Sequence, residues 1–76
     1  MSNMPSFKPR EVVEILFTAG FEKIRTSGSH IRLRRGKFIV TVPFHSRGTV
    51  PKGTLASIIR QSGLTKEFFS SRGKPR

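Results

Sequence analysis

From His30 to Val42 one set of apolar side chains falls on alternate positions, Ile31 and Leu33 first, then Phe38, Val40 and Val42, with Ile39 and Thr41 facing the other way. A period of two is the mark of a strand with one buried face. Arg35-Gly36 interrupts the run and Ser27-Gly28 precedes it, and each reads as a two-residue hairpin turn. A further strand, Phe21 to Thr26, leads into the first turn with Ile24 as its apolar position. The spacing therefore predicts three antiparallel strands over 21–26, 29–34 and 37–42. A meander this short needs something to cover its apolar face.

The register tests the idea. With both turns two residues long, Arg25 opposes His30, Ile24 opposes Ile31 and Lys23 opposes Arg32. In the second hairpin Leu33 opposes Phe38, Ile31 opposes Val40 and His30 opposes Thr41. Apolar residues then meet apolar residues on one face. Lys23, Arg25, His30, Arg32 and Arg34 share the other.

The cover comes from the flanking segments. Pro9 suits a first helical turn, and Val12, Ile15, Leu16 and Ala19 recur at helical spacing, which predicts a helix over 9–19. Glu11 and Glu14 sit near its positive end, and Gly20 follows its last turn with Phe21 folding back on Leu16. Leu55, Ile58 and Ile59 form the stripe of a second helix over 52–62, ended by Gly63. Thr65 is placed to cap one more turn carrying Phe68 and Phe69. Residues 1–8 read as a flexible start, 9–69 as one domain and 70–76 as a basic disordered tail. The predicted fold class is α+β, an α-β-β-β-α sandwich with a three-stranded antiparallel sheet and both helices on one face.

Fifteen Lys and Arg stand against four Asp and Glu, a net charge of +11 on 76 residues. Self-repulsion of that size in a small body calls for a polyanionic or acidic partner. Nucleic acid leads, ahead of an anionic membrane surface, for which the chain lacks a helix with one basic and one aromatic face. With no Cys and two His, neither a disulfide framework nor a metal cluster is expected, and no small-molecule cofactor is implied. No signal-peptide or membrane-spanning pattern is visible, so a cytoplasmic protein is expected.

One imidazole on a strand among guanidinium groups suits a phosphate of a nucleic acid. RNA carries its own nucleophile, the 2′-hydroxyl, so a base, a charge stabiliser and a proton donor suffice to cleave it. His30 is the candidate catalytic residue. Lys23, Arg25, Ser29, Arg32 and Arg34 are the candidate RNA contacts, with Lys52 added at the start of the second helix, where a helix N-terminus favours anions. His45, in the loop after Val42-Pro43-Phe44, reads as a loop residue that bonds backbone or touches substrate or partner.

Four motifs occur in order: a helix ending in Ala19-Gly20-Phe21, then Gly28-Ser29-His30, then Val42-Pro43-Phe44-His45, then Lys52-Gly53-Thr54-Leu55 running through Ile58-Ile59-Arg60-Gln61 to Gly63-Leu64-Thr65. Together they resemble the HicA toxins of bacterial HicA–HicB toxin–antitoxin pairs, over about residues 10–69, and the element order resembles the double-stranded-RNA-binding domain. The resemblance implies an mRNA interferase in which His30 matches the catalytic histidine. It also implies a HicB-type antitoxin that covers the His30 face. The alternative is a non-catalytic RNA-binding module of the double-stranded-RNA type. Such domains place their phosphate contacts in a lysine cluster near the start of the second helix, whereas here the charge surrounds a histidine on the sheet.

Overall fold

The computed structural model describes residues 5–44 and 48–73; His45 and the tail cations Lys74 and Arg76 lie outside them. The elements are α1 (Pro9–Thr18), β1 (Glu22–Ser27), β2 (His30–Arg35), β3 (Phe38–Pro43), α2 (Lys52–Ser62) and α3 (Lys66–Ser70). The strands form one antiparallel sheet in the order β1-β2-β3, and α1 and α2 pack against it through β3. This is the expected α-β-β-β-α arrangement, with α3 as the extra turn capped by Thr65, whose hydroxyl accepts from the Phe68 N–H at 3.0 Å.

Both ends of α1 are built by local sequence. At the start of α1, Pro9 takes the first helical position and the Glu11 carboxylate accepts from the Lys8 N–H at 2.8 Å. At its end, Phe21 N–H reaches Leu16 O and Gly20 N–H reaches Phe17 O, both at 2.9 Å, which is the Schellman closure expected from Gly20-Phe21. Arg35 adds a tertiary tie: its Nη1 donates to Ala19 O at 2.9 Å while its guanidinium lies 5.3 Å from the Phe21 ring centre. One cation of the basic hairpin thus serves the α1–β1 corner.

The core lies between the sheet and the helices. Leu33, Val40 and Val42 from the sheet meet Val12, Leu16, Leu55 and Ile58 from the helices, all buried. Ile31 and Phe38 pack partly buried against them. At about 1.5–3 kcal/mol for each fully buried large apolar side chain, this face holds the fold together.

Three expectations are corrected. Each strand begins one residue later than predicted, and for β2 and β3 the reason is that glycine takes the first turn position. The turns are Gly28-Ser29 and Gly36-Lys37, with Gly28 at φ 58° and Gly36 at φ 59°. A positive φ at the first central position is the glycine-first hairpin pattern. Leu33 consequently opposes Val40 rather than Phe38, and Arg25 opposes Arg32 rather than His30. Both are slips of two, so these residues keep their faces.

The second correction comes from a bulge between Lys23 and Arg25. One extra residue there reverses the alternation for everything before it. Lys23 lies opposite the core residue Leu33, not on the His30 face, and Glu22 takes the place opposite Arg34. Ile24, expected in the core, is 43% exposed.

Third, the packed body is wider than 9–69. Phe7, placed in the loose start, is fully buried, and its carbonyl accepts from Val50 N–H at 2.8 Å. Ser70, placed in the disordered tail, ends α3. Arg72 Nη1 lies 3.3 Å from Glu11 Oε2, and its guanidinium lies 4.9 Å from the Phe7 ring centre.

Candidate nucleic-acid interface

The central strand β2 carries the chemistry. Alternation puts Ile31 and Leu33 toward the helices and His30, Arg32 and Arg34 on the open face. The neighbours follow from the two registers. His30 has Ser27 on its β1 side and Pro43 on its β3 side, Arg32 has Arg25 and Thr41, and Arg34 has Glu22 and Ile39.

An open depression of about 350 Å³ lies at the His30 end, lined by Arg25, Ser27, His30, Arg32 and Thr41. All but the half-buried Thr41 are exposed. Arg25 and Arg32, directly opposed, give this depression two guanidinium groups, and Ser27 and Thr41 add hydroxyls that donate or accept. No side-chain hydrogen bond or ion pair within the described residues engages His30, Arg25, Arg32 or Arg34. Like charges directly opposed across strands oppose folding. A bound anion relieves that repulsion, and guanidinium forks fit phosphate oxygens.

The predicted residues divide accordingly. His30, Arg25 and Arg32 come together. Arg34 shares their face one step further along β2, about 7 Å from Arg32 by strand geometry. Ser29 lies in the turn beside His30, where its carbonyl accepts from Phe44 N–H. Lys23 is carried away by the bulge. Lys52 opens α2, which packs on the other face of the sheet, and it does not line the depression. Ser27 and Thr41 were missed as site residues. Thr41 was already on the open face by alternation; Ser27 became visible only once Gly28 took the first turn position.

His30 is the only histidine among the described residues, and among them no three His, Cys, Asp or Glu side chains gather as a metal site. Nor is any described helix long and apolar enough to cross a membrane.

No curated protein matches the chain in sequence. A family model, the HicA toxin of bacterial toxin–antitoxin systems, matches residues 9–64, from the first residue of α1 to just past the end of α2. That span holds the whole sheet and all three earlier motifs together with most of the fourth. The chain belongs to the HicA toxin family and is the toxin of a toxin–antitoxin system, which implies a HicB antitoxin as its partner.

Proposed function

We propose that this toxin is an endoribonuclease that cleaves mRNA, with His30 moving the proton and Arg25 and Arg32 holding the scissile phosphate. The observation that carries it is the depression in which an imidazole, two guanidinium groups and two hydroxyls converge.

The chemistry is a transfer within the RNA. The 2′-oxygen attacks the adjacent phosphorus, its proton passes to His30, and the bond from phosphorus to the 5′-oxygen breaks. The leaving oxygen takes a proton from His30 or from water. The products are a 2′,3′-cyclic phosphate and a 5′-hydroxyl. A histidine suits both directions of proton transfer because its ordinary pKa lies near neutrality. The two arginines meet the extra negative charge on the pentacoordinate phosphorus. Because the substrate supplies the nucleophile, no metal-activated water is needed. Arg34 and Ser29 extend the contact to flanking nucleotides, and mRNA as substrate places the activity in the cytoplasm.

The HicB antitoxin is proposed to cover the same face, so that RNA and antitoxin exclude each other. A +11 toxin favours an acidic partner and rapid, charge-steered association. Analysis of product ends after incubation with RNA in EDTA tests the chemistry. Cyclic phosphate or 3′-phosphate ends support it, and 3′-hydroxyl ends rule it out.

A further inference from the structure

The open face is not uniform along β2. Its His30 end presents Arg25 and Arg32 with hydroxyls beside them. Its other end presents a different set. Arg34 is flanked by Glu22 on β1 and by Ile39 on β3, and Ile39 is 46% exposed. Glu22 is there because of the bulge; unbroken alternation would have put Lys23 on this face instead. A carboxylate weakens a phosphate track, and an aliphatic side chain adds nothing to one. Together with a guanidinium they are the groups that read a base: an acceptor, a donor fork and an apolar surface for the ring.

We infer that Glu22, Arg34 and Ile39 form a nucleobase subsite, one strand step from the phosphate held by Arg25 and Arg32, and that it favours a base bearing an exocyclic amine over uracil. The inference rests on RNA binding at the His30 face. The carboxylate of Glu22 accepts from the amine, as Glu does from the cytosine N4 amine. Where cytosine carries its N4 amine, uracil carries the O4 carbonyl oxygen, which a carboxylate repels. Arg34 donates to an acceptor on the same base edge, and Ile39 lies against the ring. Within the described residues neither Glu22 nor Arg34 has a side-chain hydrogen bond or ion pair that competes for these roles.

The test uses the full chain carrying His30→Ala, so that RNA is bound and not cut, with oligocytidylate and oligouridylate of equal length as probes at one salt concentration. The expected result is about tenfold tighter binding of oligocytidylate, the discrimination typical of one good base contact. Adding Glu22→Gln should abolish that preference without flattening the salt dependence, because glutamine offers both donor and acceptor. Adding Ile39→Ser should weaken both probes, again with the salt slope kept. Arg32→Ala is the contrasting variant, expected to weaken both probes and flatten the slope. A Glu22→Gln variant that binds both probes more tightly by one common factor would make Glu22 a mere repeller of phosphate and overturn the subsite. So would an Ile39→Ser variant that loses antitoxin affinity but keeps RNA affinity. If Arg32→Ala and the parent bind neither probe, RNA binding at this face fails, and the subsite fails with it.

Discussion

Arg25 and Arg32 stand directly opposite each other across β1 and β2, on the face that carries His30. Two guanidinium groups at cross-strand distance repel, and hairpins ordinarily avoid such pairs. Here the pair borders the depression that holds the imidazole. A stability cost at a site that gains by binding an anion is what a phosphate site entails. Replacing either residue by glutamine should therefore stabilise the free protein by about 0.2–1 kcal/mol. The same change should flatten the salt dependence of RNA binding by about 0.7 in log–log slope. Urea unfolding and a salt titration read the two effects. Lower stability with an unchanged slope would make the pair structural.

Gly63 ends α2 at φ 73°, and a Cβ built there would come within 2.7 Å of the Phe38 ring. Both the left-handed backbone and the close approach demand glycine. Gly63→Ala should cost about 1–3 kcal/mol by chemical denaturation. Shrinking Phe38 to leucine in the same chain should return part of that loss, leaving only the backbone strain.

Glu11 joins the two ends of the fold. Its carboxyl is held below its ordinary value of 4.5, first by the Lys8 N–H hydrogen bond and further by the nearby Arg72 guanidinium, with burial opposing both. A depressed folded-state pKa contributes stability above the unfolded value, and that contribution is lost as pH falls through the folded value. Wild type should thus lose stability more steeply than Glu11→Gln as pH drops below about 4.5. Parallel curves from denaturation midpoints across that range would remove Glu11 from the account.

Much of this architecture was legible because it rests on local rules. The helices, the α1 closure through Gly20-Phe21 and the Thr65 cap all follow from residues within a few positions of each other. Ser27-Gly28 and Arg35-Gly36 read by sequence with glycine second, which starts β2 and β3 one residue early. The error did little harm in the second hairpin, where a slip of two preserves every face. The bulge at Ile24 did more: nothing local in Glu22-Lys23-Ile24-Arg25 announces it, yet it exchanges Lys23 for Glu22 on the open face. Phe7 and Arg72 were missed for another reason. Their burial and pairing come from contacts between the two ends of the chain, which no short-range pattern encodes. Of the site, the alternation His30, Arg32, Arg34 could be read directly, whereas Ser27 needed the true turn.

If the antitoxin occupies the His30 face, saturating HicB should displace labelled RNA from the folded His30→Ala toxin. Association should slow with added salt, and charge reversal at Arg34 should slow it further. A stable ternary complex would place inhibition at a distant surface.

The most direct measurement follows cleavage of a defined mRNA in EDTA by wild type and by His30→Ala, with a circular dichroism melt of each. His30 is exposed and outside the core, so the variant should melt like wild type. Loss of a proton-transfer group should cut the rate by at least about a hundredfold. Wild-type cleavage from a folded His30→Ala protein would contradict the account.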